Sequence, residues 1–480
     1  MNRREFSKRS FALGLGALAR PAGAQTPEYY EEAAKRLPVR RFDVVVAGGG
    51  TAGVPAAIAA ARQGAKVVLI ENKGYTGGVA VEGGTALHSF FNLWKAFPGV
   101  EKRQVVRGIP QEIVDGLMRV GGCSGHSEMV RGYDYDSVCT AIDTEMYKMV
   151  TLDMLQQAGV TVWVNTFLAG AIKRGSHLTG VIAESRSGRE AIYAKAFVDT
   201  TGYGDLAAHA GAKYTEPNDH AVANSMGVGN VDIEKMCDYL LSKDRMTQLA
   251  RGRRSGKDGQ IVRFGGESVS FSEEFNAEAR KLGLAMITTT VHDNYLMFIK
   301  LNFKMPVSPT NRDESAKAEI EIRRRMFKAL ELMRKYVPGC ERAFIARTSP
   351  SFAIRRGRLI ACDYDIKLDD ILKARHFDDD VFVYGFHDSA PRLQVAGGGT
   401  YGIPYRALRP AGIDNLLVAG MMITSEHEAH MSTRNTVSCM GQGQAAGTAA
   451  ALCALKRRGT RELAYSDLRS ALVKDGVYFE

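Results

Sequence analysis

The chain has 480 residues, with 63 Lys and Arg against 53 Asp and Glu, 45% apolar and 24% charged residues. That length supports two or three packed domains around a large core, and the balance excludes a disordered or fibrous chain. The formal net charge of +10 is modest and scattered, without the basic stripe that nucleic-acid binding requires, so no nucleic-acid partner is expected.

In chain order, residues 1–24 read as a twin-arginine export signal. Arg3 and Arg4 precede a ten-residue apolar stretch at 10–19 and a small-residue site at Ala22-Gly23-Ala24. The stretch is too short for the ~20 residues of a membrane span, so no transmembrane span is expected. The implied location is the periplasm or another exported compartment. Residues 25–40 read as a linker holding one short helix, TPEYYEEAAKRL.

The next segment carries the strongest signal. FDVVVA at 42–47 is a short apolar run rich in β-branched residues, as in a buried parallel strand. The loop GGGTAG follows, then the alanine-rich AAIAAARQGA as a helix, then KVVLIE as a second strand. Gly48, Gly50 and Gly53 satisfy G-x-G-x-x-G, the loop that lets a helix N-terminus approach a dinucleotide pyrophosphate. Thr51 and Ala52 lie within that loop. Glu71 stands 23 positions after Gly48, near the roughly 20 expected of the acid that binds a ribose hydroxyl. Asn72 follows it.

Beyond this unit, VVRGIPQEIVDGLMRVGG at 105–122 and TAIDTEMYKMVTLDMLQQAGV at 140–160 read as helices, and 161–202 as alternating strands. From about 217 to 400 the βαβ rhythm stops, which predicts an inserted second domain. The basic run at 243–259 reads as a solvated surface. VAGGGTYGIP at 395–404 repeats the glycine pattern, but no strand precedes it, and Pro404 and Pro410 forbid a continuous helix after it. It reads as a turn, which leaves one dinucleotide site. The seven cysteines show no C-x-x-C pair, so no zinc or iron–sulfur framework is expected and no metal site is assigned. The predicted fold class is α/β: a Rossmann-like three-layer domain with a parallel sheet (41–90, 135–216 and 405–480) and a mixed α+β substrate domain (91–134 and 217–404).

These segments resemble the bacterial FAD-dependent oxidoreductase family, remotely related to fumarate reductase flavoproteins and the heterodisulfide reductase flavin subunit. The likeness rests on 44–71, VVRGIPQEIVD, AFVDTTGYGDLAAHAGA, RRGRLIACDYDIKLDDIL, YGIPYRAL, NLLVAGMMITSEHEAH and GQGQAAGTAAAL. It implies FAD as the cofactor, with the pyrophosphate at Gly48, Gly50 and Gly53 and the adenosine ribose at Glu71. It further implies backbone contact at Gly77 and Gly78, a second glycine turn ending at Gly202, the ribityl chain along Gly420 and Met421, and the flavin at Gly441 and Gln442. Tyr203 departs from the family, which more often has a small acidic residue there. The cysteine ladder of the heterodisulfide reductase branch is absent, so iron–sulfur electron transfer is not implied.

SEHEAHMSTRN at 425–435 is the densest cluster of proton-transfer types beside the presumed flavin turn. His430 and His427 are the first catalytic candidates, because an imidazole can exchange a proton near neutral pH. Arg434 can anchor a carboxylate or compensate a reduced flavin. His387, from the inserted domain, is another candidate. Arg355, Arg356 and Arg358 read as a solvated run. The expected activity is dehydrogenation or reduction of a small polar organic substrate. With no second nucleotide unit, the expected electron acceptor is a quinone, a cytochrome or dioxygen. The alternatives are a redox-neutral FAD-containing lyase or isomerase, and a non-catalytic FAD-binding protein.

Overall fold

The computed structural model describes residues 29–82, 87–88, 92–93, 103–131, 138–266, 271–389 and 392–480. The export signal at 1–24 lies outside the described residues. The linker helix expected within 25–40 is not found over 29–37, which carry no regular structure.

Val44–Ala47 (β1), Val67–Ile70 (β2), Thr161–Trp163 (β3), Ala196–Asp199 (β4) and Leu416–Val418 (β5) form one sheet in the order β5-β4-β1-β2-β3. Every pairing in it is parallel. All four residues of β1, β2 and β4 are buried, which is why these strands read as continuous apolar runs rather than alternating ones. The order reverses between β1 and β4. Such a switch point leaves a crevice at the carboxyl ends of the two strands, where open parallel sheets bind ligands.

Helices cover this sheet because their small residues allow backbone-to-backbone approach. Gly53–Arg62 (α1) lies against Thr436–Lys456 (α2). A side-chain carbon on Gly443 would sit 2.0 Å from the Ala52 carbonyl oxygen, and one on Gly447 2.0 Å from that of Ala56. An antiparallel sheet adds Leu178, Val181 and Ile192 to the same core as Phe197 and Leu416.

A second apolar core runs from Met226 to Ala343. It lies among an antiparallel sheet built on Ala221–Gly229 and Tyr295–Pro306, the hairpin Met246–Arg254 and Lys257–Gly266, and the helix Arg312–Tyr336. Two limits of the expected substrate domain shift. Ile360, Ile371, Phe382, Tyr384 and Tyr401 belong to the first core, so the chain after about 360 has returned to the dinucleotide unit before the expected 404. The helix Ile109–Arg119, expected in the same domain, buries Ile109, Ile113, Val114 and Leu117 in the first core. The helix was legible in the sequence, but its packing partner was not.

The basic run 243–259 is not merely solvated. It forms much of the hairpin, and Arg254, 5% exposed, pairs with Glu234 at 2.5 Å and Asp293 at 3.0 Å. None of the seven cysteines forms a disulfide, and all but Cys362 are buried. Among the described residues, no helix is long and apolar enough to cross a membrane.

Candidate functional site

The loops leaving β1, β2, β4 and β5 converge on one cavity of about 750 Å³. Its wall includes Gly48, Gly50, Thr51 and Ala52 after β1, Glu71 and Asn72 after β2, Thr200 to Tyr203 after β4, and Ala419 to Met421 after β5. A larger groove of about 910 Å³ opens at the other end of the sheet, lined by Phe42, Lys66, Lys195 and Asp414 ahead of the same strands. The switch-point rule favours the first, because open parallel sheets bind ligands in the crevice outside the carboxyl ends of their strands.

The glycines of the first loop divide by what they meet. Gly48 has φ +97°, and a side-chain carbon on it would lie 2.5 Å from the Thr200 carbonyl oxygen. On Gly53 it would lie 1.8 Å from the Gly48 carbonyl oxygen. Both glycines are required by the fold itself. Gly50 is different: its nearest neighbours would be Gly78 Cα at 3.8 Å and Thr200 O at 3.9 Å. Protein packing does not demand a glycine there, and the missing side chain leaves room in the cavity at the N-terminus of α1.

Glu71 is 8% exposed, and its carboxylate accepts from Gly49 N at 2.7 Å and Lys73 N at 2.8 Å. Burial raises its pKa, while those two backbone bonds oppose the rise. Glu71 also borders the cavity, so a ribose hydroxyl can reach the carboxylate. Gly78 lines the wall. Gly77 stands behind it with φ +116°, its N–H donating to Gly49 O at 2.8 Å.

The β5 turn is held from outside the cavity. Gln442 accepts from Gly420 N at 2.8 Å and donates to Thr433 O at 2.8 Å, so it fixes the turn without bordering the cavity. Gly441 faces Phe382, at 3.0 Å from a side-chain carbon built on it. Gly441 and Gln442, where the resemblance placed the flavin, do not border the cavity, whereas the start of α2 does. Asn435 is its N-cap, and Asn435, Thr436 and Cys439 line the wall.

The histidines are displaced as well. His430 is fully buried, its Nε2 bonded to Met421 O at 2.9 Å and its Nδ1 without a partner. Burial, with Arg434 and Arg356 nearby, holds it well below the usual imidazole range, so it is neutral. It braces the Met421 turn and does not border the cavity. His387 Nε2 donates to Glu428 O at 2.8 Å while its Nδ1 accepts from Ser389 N at 3.0 Å, so both nitrogens are committed. His427 pairs with Asp219 at 3.1 Å, away from the lining. Of the four catalytic candidates, only Arg434 reaches the wall, where it pairs with Asp388.

His430→Ala is accordingly expected to lose stability and FAD rather than chemistry. Unpairing the Met421 carbonyl costs about 1–3 kcal/mol, before the space left by the ring is counted. Denaturation midpoints and the FAD-to-protein ratio should fall together, while flavin reduction in the remaining holoprotein keeps its rate.

Sequence reasoning missed the facing wall. Arg263, Ile287, Phe298 and Lys300 from the second domain's strands, with Arg355 from the chain returning to the first core, close the cavity. Arg263 Nε donates to Gln248 Oε1 at 2.6 Å. Burial, with Arg355 and Arg434 close by, pulls the Lys300 amine down to about 7. The RRGR run read as solvated instead splits. Arg355 borders the cavity, Arg356 pairs with Asp219 at 2.9 Å and Arg358 with Asp205 at 2.7 Å. Tyr203, the departure from the family pattern, packs beside Val222, Val307 and Ile354 and donates to Ile354 O at 3.2 Å.

A parallel sheet in 3-2-1-4-5 order, with four strand ends emptying into one cavity beside a glycine loop and a buried acid, defines a dinucleotide-binding type of fold. The chain belongs to the FAD dependent oxidoreductase family, whose model matches residues 43–472. It is an FAD-dependent enzyme. Among curated proteins, none matches it. Among solved structures it is similar to a geranylgeranyl bacteriochlorophyll reductase-like protein from Thermoplasma acidophilum, at 13% identity and TM-score 0.44, over 91% of this chain and 82% of that one. It is also similar to the myxobacterial chondrochloren halogenase, at 12% identity and TM-score 0.46, over 90% and 78%. A third is p-nitrophenol 4-monooxygenase from Pseudomonas putida, at 10% identity and TM-score 0.44, over 91% and 84%.

The residues fit FAD on the structure's own terms. Gly50 keeps space that no protein atom uses, Glu71 is a buried acid bordering the cavity, and the bare N-terminus of α1 has no acidic residue in its first turn to repel a pyrophosphate.

Proposed function

We propose that this enzyme dehydrogenates a small polar organic substrate and passes the electrons to an acceptor other than a nicotinamide. The observation that carries the reading is the cavity of about 750 Å³, in which the dinucleotide loop of one domain faces Ile287, Phe298 and Lys300 of the other. When bound, FAD supplies the two-electron acceptor. The chain supplies the rest. Gly50 and the α1 N-terminus hold the pyrophosphate, Glu71 holds the ribose, and the apolar part of the facing wall sheds water around the substrate. With the histidines turned away, Lys300 Nζ is the group that takes the proton from the substrate hydroxyl, its reduced basicity suiting it to the task. The second glycine decapeptide supports a non-nicotinamide acceptor. Its Ala396–Gly398 turn leads into a strand paired antiparallel with Asp380–Tyr384, a hairpin rather than a second nucleotide loop.

The test is anaerobic bleaching of the flavin spectrum across a panel of hydroxylated compounds. A substrate should bleach it without any nicotinamide, and the rate should rise with pH through one step near 7, as Lys300 loses its proton. Lys300→Met should remove that step and slow bleaching by ~10²–10⁴-fold. Bleaching with an unchanged pH profile in this variant would remove Lys300 from the role, and steady turnover without any acceptor would identify a redox-neutral enzyme instead.

Export through the twin-arginine route belongs to the same proposal, since that route carries proteins already folded around a cofactor. Changing Arg3 and Arg4 to Lys keeps the charge but removes the guanidinium pair. Fractionation should then find the protein inside the cell; normal export would point to another route.

A further inference from the structure

The charges on the cavity wall are unevenly settled. At the dinucleotide end they are matched: Glu82 pairs with Lys73, Asp205 with Arg358 at 2.7 Å, and Glu71 takes two backbone N–H groups. At the other end Arg263, Lys300, Arg355 and Arg434 share the wall with one carboxylate, Asp388, and Arg434 pairs with it. Among the described residues, Arg355 donates no hydrogen bond and forms no ion pair. A guanidinium set into a protein wall without a hydrogen-bonded counter-ion is costly, and the one carboxylate acting on Arg355, Asp388, is already paired with Arg434. Arg355 is also the group of this set best suited to a carboxylate, since its planar fork can donate two parallel N–H bonds.

We propose that the substrate is a carboxylic acid whose carboxylate is held by Arg355, with Arg434 beside it. This rests on the reading of the cavity as a substrate site and adds the substrate's chemical class. The acid supplies the negative charge that the wall lacks. The neighbouring hydroxyl-bearing carbon is then held between the Lys300 amine and the cofactor side of the cavity. A neutral polyol would leave the Arg355 guanidinium unpaired, so the same contact rejects uncharged analogues.

The experiment titrates oxidised holoenzyme with glycolate, lactate and malate, and separately with glycolamide and lactamide, following the flavin difference spectrum with calorimetry as a second readout. At least one acid should bind on the order of 100-fold more tightly than its amide. Arg355→Gln should weaken acid binding on the order of 100-fold while keeping FAD content and amide binding unchanged. Arg355→Lys should recover part of the loss, which a folding defect would not allow. Equal binding of acid and amide, no acid binding by either readout, or an unchanged acid Kd in Arg355→Gln would each overturn the proposal. So would a fall in flavin midpoint potential or FAD content with acid binding intact, which would assign the guanidinium to the cofactor. Should acids bind through Arg355 while no compound bleaches the flavin, the carboxylate site stands and the dehydrogenase reading falls.

Discussion

Gly50→Val is expected to give a folded protein that no longer retains FAD. The prediction rests on the difference between Gly50 and its neighbours in the same loop. A side-chain carbon on Gly48 or Gly53 would collide with backbone at 2.5 Å or 1.8 Å, so those substitutions break the loop itself. At Gly50 the first neighbours lie at 3.8 Å and 3.9 Å, ordinary contact distances. A side chain branching from that carbon therefore starts without a backbone collision and fills the space at the α1 N-terminus proposed for the pyrophosphate. Absorbance of the purified variant should show loss of nearly all flavin, with the circular dichroism of the wild type. Gly399→Val is the control, because Gly399 belongs to the second decapeptide and does not border the cavity. Equal loss of flavin from both variants would mean that the second decapeptide also holds a cofactor.

Gly443→Ala should unfold the enzyme more readily than any comparably small change on its surface. One added carbon would lie 2.0 Å from the Ala52 carbonyl oxygen, and the same carbon would meet Ala52 Cα at 2.8 Å. Neither contact is with a flexible side chain, so α2 must move away from α1. Overpacking a core usually costs about 1–3 kcal/mol, and a collision with backbone belongs at or beyond the upper end. Ala52 is the N-cap of α1 and borders the cavity, so the displacement carries the pyrophosphate site with it. Denaturation should begin at lower urea, and FAD should dissociate before the main transition. Wild-type stability in this variant would show that the two helices pack less closely than described.

These two positions show where sequence reading succeeds and where it stops. The dinucleotide unit was legible because its determinants are local. β1, the glycine loop, α1, β2 and Glu71 follow one another within 44–71, and each imposes its own backbone or burial requirement. The small-residue run GQGQAAGTAAAL within α2 was legible too, although nothing in it marks the first helical turn, and Asn435 caps the helix through its backbone position alone.

The sequence by itself determined the parallel α/β unit, the glycine loop after β1, the acid Glu71 after β2 and the Gly202 and Gly420 turns that border the cavity. Only the tertiary structure decided what faces them. His430, His427 and His387 lie within or near the cluster most suited to proton transfer, yet hydrogen bonds to Met421 O, Asp219 and Glu428 O turn them to other work. Lys300 lies in the stretch that read only as an inserted mixed domain and Arg355 in a run that read as solvated, and neither carries a local mark. Their position depends on strand pairing across 221–306 and on a chain that returns to the first core near 360. Backbone geometry is set by neighbours in sequence, whereas the environment of a charge is set by whatever long-range packing brings against it.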